Sequence, residues 1–116
     1  IQIDEDVTGV GKTAIFKALQ AEGIENIFEK YFNLHLLPMY KNKLAYGTKG
    51  FPWSSNICKR IIKYGEGVCP TAEKLNKEKL ILLELCVHQY SNDEVDLVIK
   101  CFKKVWSNLT NLKNFL

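Results

Sequence analysis

The run Gly9-Val10-Gly11-Lys12-Thr13 is the segment whose residue types and spacing come nearest to a familiar chemistry, the binding of phosphate groups. In a P-loop, backbone N–H groups of a glycine-rich turn hold the phosphates and a lysine reaches them. The complete pattern needs a glycine five residues before Gly11, and this chain has Asp6 there. A carboxylate at that position would face the phosphates in place of a backbone nest. We therefore predict a turn that leads into a helix, with Thr13 near its start, and no nucleotide site.

Metal chemistry is only weakly indicated, because the four cysteines form no Cys-x-x-Cys pair. Zinc sites usually build on such pairs, since two thiolates on one turn supply half of the tetrahedron. Cys86-x-His88 alone places two soft ligands close together in the sequence. We predict reduced cysteines that are buried or half-buried, and no metal site.

Aromatic and hydrogen-bonding side chains concentrate in residues 29–52, which also contain four Gly or Pro residues. Gly and Pro interrupt regular secondary structure, so we predict a mostly irregular segment there. Irregular segments that a scaffold holds in place often carry function. This segment is therefore the first place to look for binding residues.

The composition is that of an ordinary globular domain, with 47% hydrophobic and 25% charged residues in 116. It excludes disorder, collagen-like repeats and coiled-coil arrays, and no apolar run approaches the ~20 residues of a membrane span. The net charge is +3, but Arg60 is the one arginine among sixteen basic residues. Nucleic-acid recognition favours arginine, so we expect no nucleic-acid partner.

The chain begins with Ile1 and not with Met. We interpret it as part of a longer protein, located in the cytoplasm.

Hydrophobic periodicity predicts the elements that must position these residues. Ser91-x-x-Glu94 is a capping box, in which Ser accepts from a backbone N–H and Glu reaches back to the cap. The expected elements are the end of a strand at 1–3, a turn over 4–11, a helix over 12–22, a strand over 24–28, a short helix or loop over 53–64, a helix over 70–78, a strand over 80–85 and a helix over 92–107. They predict an α+β fold, with helices packed on one face of a small, mostly antiparallel sheet. We expect one domain over 1–107 and a frayed tail over 108–116.

Several segments, taken in order, resemble one known family. KTAIFKALQAEGI (12–24) is similar to a family helix that ends in Gly-Ile, and YFNLHLLPMY (31–40) to a segment with Tyr, then His, then Pro before aromatics. CPTAEKL (69–75) resembles the family's Pro-x-Ala-Glu helix start, and residues 80–85 and 91–105 resemble its last strand and last helix. The chain thus resembles the C-terminal small domain of the DegT/DnrJ/StrS sugar aminotransferases, which are fold-type I enzymes.

The resemblance implies a parent enzyme that uses pyridoxal phosphate (PLP) to transfer an amino group to a nucleotide-linked keto-sugar, in polysaccharide or secondary-metabolite biosynthesis. In such enzymes the cofactor is the electron sink and a lysine forms the Schiff base. The family places that lysine and the PLP contacts in its large N-terminal domain, so the resemblance implies an inactive fragment with no catalytic and no cofactor-binding residue. It also implies a homodimeric parent. The chain departs from the family at Lys12, Lys30, Asn33 and Glu84, which suggests a divergent branch.

The resemblance implies that this domain supplies one wall of the substrate cleft, and three residues are its candidate substrate contacts. Tyr31 and His35 offer a hydroxyl and an imidazole for sugar or phosphate oxygens, and Lys30 offers a charge for a diphosphate. A structural hydrogen-bonding role is the alternative for His35. Glu73 is expected to stabilise the helix start at Pro70 rather than to act as a base. Three further aromatic residues are expected in a core or interface: Tyr40, Phe51 and Trp53.

A second function class stays open at this point. The chain can also be a stand-alone interaction or regulatory module without catalysis. The coding sequence upstream of Ile1 separates the two, because the enzyme needs a large domain with a Schiff-base lysine there.

Overall fold

The computed structural model describes residues 1–113. They cluster into two compact units, which we call the sheet unit (Ile1–Tyr31 with the described part of Lys77–Leu116) and the loop unit (Phe32–Asn76). The elements are α1 (Glu5–Thr8), α2 (Lys12–Ala21), β1 (Ile27–Phe28), α3 (Pro38–Lys41), α4 (Pro70–Lys74), β2 (Leu82–Leu83), α5 (Asn92–Ser107) and α6 (Leu109–Leu112). A 3₁₀ turn covers Leu34–Leu36, and a π-helical turn covers Leu75–Lys79. The chain is thus a small α+β protein with a two-stranded antiparallel sheet, in agreement with the predicted fold class.

The sheet is shorter than the sequence predicts. β1 and β2 pair antiparallel, with Ile27 opposite Leu83. The extended run before β2 changes partner, because the Ile81 N–H donates to the Ile1 carbonyl at 2.9 Å and Leu80 forms a single bridge with Gln2. The predicted strand over 80–85 is therefore extended chain divided between two partners, and the strand end predicted at 1–3 is one of them.

The strand predicted over 24–28 is reduced to Ile27–Phe28, and its predicted first residue belongs to the end of α2. Gly23 adopts a left-handed φ of +94° and its N–H donates to the Gln20 carbonyl at 3.0 Å. The Ile24 N–H donates to the Leu19 carbonyl at 3.2 Å. These two bonds form a Schellman motif, which satisfies carbonyls that the helix end would leave unpaired. Ile24 therefore caps α2 and is buried, instead of extending β1.

The hydrophobic core lies in the sheet unit. Ile15 and Leu19 of α2 and Ile81 before β2 are its largest fully buried side chains. The other buried apolar residues are Ile3, Val10, Ala14, Ile24, Ile27 and Val105. Ile15 and Leu19 lie four residues apart, so they share the inner face of α2.

Two short helices replace segments that were predicted to be irregular. α1 forms one helical turn within the predicted turn over 4–11, and Gly9 closes it with a left-handed φ of +67°. The expected frayed tail over 108–116 is corrected for its described part, because Leu109 and Leu112 of α6 pack against the core. That apolar contact stabilises a helical turn that the sequence analysis did not predict. Residues 114–116 lie outside the described residues.

The helix predicted over 92–107 is confirmed as α5. The Glu94 N–H donates to Ser91 Oγ at 3.3 Å, and the Ser91 N–H donates to the Glu94 carboxylate at 2.8 Å. Both halves of the predicted capping box are therefore formed. These bonds hold the pKa of Glu94 below its ordinary value, the backbone bond from Ser91 being the main cause.

Replacement of Ser91 by alanine is expected to lower the free energy of unfolding by about 1 kcal/mol, because it removes the cap acceptor at the start of α5. Ser107→Ala at the other end is the matched control. Its hydroxyl donates to the Lys103 carbonyl at 2.8 Å. Because Ser107 is exposed and does not cap the helix start, we expect a smaller change. Urea unfolding monitored by far-UV circular dichroism measures both. Equal losses in the two variants would contradict the role of the cap.

The loop unit has a different construction. None of its residues is buried. Residues 53–64 form loop and turns instead of a helix. α4 is shorter than the helix predicted over 70–78, since the π-helical turn begins at Leu75. Within residues 1–113, no helix has the length and apolar character needed to cross a membrane.

Candidate functional site

The loop unit is tied together by a hydrogen bond between two residues of the sequence motifs, His35 and Glu73. His35 lies in the 3₁₀ turn and Glu73 in the first turns of α4, and His35 Nε2 is 2.7 Å from Glu73 Oε1. The His35 side chain is 11% exposed. Because an ionised carboxylate can only accept, Nε2 carries the proton in this pair.

Glu73 also binds the chain that precedes α4. The Gly67 N–H lies 3.0 Å from both carboxylate oxygens, and the Cys69 N–H lies 3.3 Å from one of them. The Gly67 bond, followed by the His35 bond, holds the pKa of Glu73 below its ordinary value of 4.5. Cys69 is the N-cap of α4, so these bonds confirm that Glu73 stabilises the helix start.

The backbone of His35 adds a second tether. The Gly65 N–H donates to the His35 carbonyl at 3.1 Å. His35 therefore holds residues 65–73 through both its main chain and, by way of Glu73, its side chain. This is the arrangement that a structural hydrogen-bonding histidine requires.

Three aromatic rings form a second cluster in the loop unit. Tyr40 lies 6.3 Å from Trp53 and 5.4 Å from Tyr64, measured between ring centroids, and the Trp53 indole donates to the Tyr64 hydroxyl at 3.1 Å. The near-perpendicular Trp53–Tyr64 geometry is favourable for aromatic pairs. Tyr40 and Trp53 thus pack as predicted, whereas Phe51 is exposed and contacts Tyr46.

The sheet unit contains a buried charged residue, Lys12, that sequence reasoning did not single out as a site. Lys12 is 4% exposed and its Nζ donates to the Glu29 carbonyl at 3.0 Å. Burial lowers the pKa of Lys12, with the nearby charge of Glu29 acting in the opposite direction and that of Lys30 in the same one. The Thr13 hydroxyl donates to the Glu29 carboxylate. The Lys12 ammonium and the Thr13 hydroxyl, both at the start of α2, therefore hold Glu29 in the chain after β1.

Burial of Lys12 predicts a measurable protection from amine reagents. Acetylation should be at least about tenfold slower at Lys12 than at the exposed Lys17 of the same helix, because the reaction requires local opening of the fold. The lowered pKa raises the neutral, reactive fraction, so protection would show that access is the controlling factor. Mass spectrometry after a brief reagent pulse measures both sites. Equal rates would contradict the buried position.

Lys30 and Tyr31 directly follow Glu29 in the chain and have exposed side chains. They belong to the sheet unit, whereas His35 belongs to the loop unit. The structure therefore places the predicted substrate residues at the end of one unit and inside the other. The Pro-x-Ala-Glu pattern singled out Glu73 at a helix start, but no pattern in the sequence identifies His35 as the distant side chain that Glu73 meets.

An apolar groove of about 360 Å³ lies in the sheet unit, and we call it the α5 groove. Its lining comes from residues that follow α2, from β2 and the chain after it, and from α5. The apolar side chains include Leu83, Leu85 and Leu97, while Glu22 and Glu25 bring two carboxylates. Asn26 Nδ2 donates to the Tyr90 hydroxyl at 2.9 Å within it.

The α5 groove does not fit PLP. The α5 groove has two carboxylates in its lining and neither lysine nor arginine, so it does not suit a phosphate group. The buried amine of Lys12 is committed to the Glu29 carbonyl. Among residues 1–113 no group of three or more His, Cys, Asp or Glu residues is placed to hold a metal.

The cysteines differ in part from the prediction. All four are free, and Cys58 and Cys101 are half-buried as expected. Cys69 and Cys86 are exposed instead, because they lie in the loop before α4 and in the chain after β2.

Comparison of the chain with protein-family models, curated proteins and solved structures finds no match.

Proposed function

We propose that the chain is the C-terminal small domain of a DegT/DnrJ/StrS-type aminotransferase, which uses PLP to transfer an amino group to a nucleotide-linked keto-sugar. The observation that carries the proposal is the hydrogen bond between His35 and Glu73. It joins YFNLHLLPMY to CPTAEKL, two of the segments that carry the resemblance, although the two residues are 38 positions apart. The bond supplies a physical reason for the two motifs to occur together.

The positions of the other motifs support the same proposal. KTAIFKALQAEGI coincides with α2 and its Schellman cap at Gly23, and the Pro-x-Ala-Glu segment begins α4 at Pro70. Residues 91–105 coincide with α5 and its capping box. Three of the five resembling segments therefore begin at the first residue of a helix or at its N-cap.

In this proposal the domain contributes binding groups, not the reacting ones. Tyr31 presents a hydroxyl and Lys30 an ammonium from the exposed chain after β1. His35 Nε2 donates to Glu73, so Nδ1 is the acceptor that remains, and a sugar hydroxyl of the substrate would donate to it. PLP supplies the electron sink for transamination, and its lysine and phosphate contacts belong to the large domain of the parent.

The direct experiment uses the full-length gene product. Purified protein should show the visible absorbance of bound PLP, and an amino donor should bleach it reversibly. A full-length product that neither contains PLP nor takes it up would refute the proposal. A start codon at Ile1 would favour the non-catalytic interaction module instead.

Tyr31→Phe in the full-length enzyme is expected to raise the KM for the keto-sugar up to about tenfold and to leave kcat nearly unchanged, because one hydrogen bond to the substrate is lost. Tyr46→Phe is the matched control, since Tyr46 is an exposed tyrosine that contacts Phe51. Steady-state kinetics with the sugar as the varied substrate separates the two parameters. Equal KM values for the two variants would remove Tyr31 from the site.

A further inference from the structure

The α5 groove is a cavity within the sheet unit that the proposed function does not use. Its floor is apolar, because Leu83, Val98 and Cys101 line it and are partly buried against the core. Leu85 and Leu97 also line it and are more exposed, at 37% and 58%. The volume of about 360 Å³ lies at the lower end of the range of small-molecule sites in proteins. The groove therefore has the size and the surface for a small ligand with an apolar part.

The polar groups that the groove offers to a ligand are acceptors. Asn26 Nδ2 donates to the Tyr90 hydroxyl at 2.9 Å, which leaves Oδ1 as the acceptor of that amide. The Glu25 side chain is exposed and carries a carboxylate. In the part of the chain that the structure describes, neither Asn26 Oδ1 nor the Glu25 carboxylate has a donor within hydrogen-bond distance. A ligand that pairs with both acceptors must supply the donors.

The charges around the groove favour a positive ligand. Glu22 and Glu25 line it, and its described lining contains neither lysine nor arginine. Glu22 is paired with Lys104 at 2.7 Å, so Glu25 is the carboxylate left for a ligand. The sheet unit carries nine basic and eleven acidic residues, which also favours a cation. A primary ammonium group matches these features, since it is positive and has three N–H donors and no acceptor.

We propose that the α5 groove binds a small aliphatic primary amine in its ammonium form. The ammonium group donates to the Glu25 carboxylate and to Asn26 Oδ1, and the alkyl chain covers the apolar floor. A free small molecule is chosen over a protein partner because a stable protein interface covers about 800 Å² on each side. The groove is instead a single cavity of small-molecule size. The inference does not rest on the proposed function, because none of the three candidate substrate residues lines the groove.

The first test titrates n-hexylamine into the chain at neutral pH and follows the backbone amides by heteronuclear NMR. We expect saturable shifts at residues 22–26 and 97–101, with a dissociation constant on the order of 1 mM for a ligand of this size. Hexanol has the same alkyl chain without the charge and should bind at least about threefold more weakly. Hexanoate should bind more weakly still, because its charge has the sign of Glu25.

Three results of this titration would overturn the proposal. The first is absence of saturation up to about 20 mM hexylamine, which is well above the expected dissociation constant. The second is a set of saturable shifts confined to residues outside the groove. The third is binding of hexanoate as tight as that of hexylamine.

The second test isolates the charge of Glu25. Glu25→Gln should weaken hexylamine binding about threefold or more and leave hexanol binding unchanged, because only the ammonium group uses the charge. Glu78→Gln is the matched control, an exposed carboxylate of the sheet unit outside the groove, and should change neither affinity. Equal hexylamine affinities in the two variants would overturn the role of Glu25.

The third test isolates the apolar contact. Leu97→Ala should weaken hexylamine and hexanol by the same factor, about threefold or more, because it removes surface that both alkyl chains cover. Ile99→Ala is the matched control, since Ile99 lies on the same helix, is 43% exposed and does not line the groove. Unchanged affinities in Leu97→Ala would overturn the placement of the alkyl chain.

The last test decides between a free amine and a lysine side chain of a polypeptide. The probe is lysine with an acetylated amino end and a methylamide at its carboxyl end, which carries the same ammonium group. Its two amide groups would lose water against the apolar floor without gaining partners, so we expect at least about tenfold weaker binding than that of hexylamine. Binding as tight as that of hexylamine would overturn the free amine and assign the groove to a lysine side chain.

Discussion

Ile15→Ala is expected to lower the free energy of unfolding of the sheet unit by about 2–5 kcal/mol, one of the two largest effects in this chain. Ile15 is 0% exposed and lies where α2 meets the rest of the core. Truncation removes buried methyl groups and leaves a cavity that the neighbouring side chains fill only in part. A typical domain has about 5–15 kcal/mol of stability, so this single change takes away a large share.

The measurement can be confined to the sheet unit. Trp106 lies on α5 in the sheet unit and Trp53 in the loop unit, so a Trp53→Phe background leaves a fluorescent reporter on the sheet unit alone. Urea unfolding monitored by Trp106 then gives the free energy. Val7→Ala, at an exposed position of α1, is the control and should change it by no more than about 0.5 kcal/mol. An equally small effect at Ile15 would mean that the core described here is not formed.

The success of prediction differs between elements for a physical reason. The helix at 92–107 was predicted to its ends because its start signal, the Ser91–Glu94 box, is formed by residues three positions apart. The helix predicted over 12–22 followed equally from local periodicity, and α2 covers Lys12–Ala21. Local signals of this kind survive in the fold because no distant contact has to be known.

The strands were predicted less well because their bounds depend on distant partners. Residues 80–85 are apolar enough for a longer strand, but pairing passes from residues 1–3 to β1 along them. Ile24 is of a residue type that favours strands, but its N–H donates to the Leu19 carbonyl at the end of α2. Sheet pairing depends on tertiary context more than helix formation does, and a single sequence does not contain that context.

The candidate site shows the same limit. Its residue types were predicted, but the bond between His35 and Glu73 joins positions that no local pattern connects. Lys12 was considered only as part of an imperfect phosphate loop, whereas its burial against Glu29 comes from the packing of α2 on the chain after β1. Prediction therefore supplied the candidates, and the fold decided which of them meet.

Glu73→Gln is expected to destabilise the loop unit locally, because this unit has no buried residue to stabilise it. The carboxylate accepts from Gly67 and Cys69 and from His35, and a neutral amide forms weaker bonds and offers one acceptor atom where there were two. We expect hydrogen exchange at the Gly67 and Cys69 amides to become at least about tenfold faster at neutral pH. Glu66→Gln is the matched control, a neighbouring exposed carboxylate, and should leave both rates unchanged.

The same carboxylate predicts how the loop unit responds to acid. Its pKa in the folded state lies below the ordinary value of 4.5, so the unfolded state binds the proton more readily. The stabilisation is therefore fully present above about pH 4.5 and is lost as the pH falls through the lowered pKa of Glu73. In a Trp106→Phe background, the fluorescence of Trp53 and the amide shifts of Gly67 should report this transition in the wild type. Glu73→Gln should abolish it, and a transition that persists in that variant would show that another group controls the acid response.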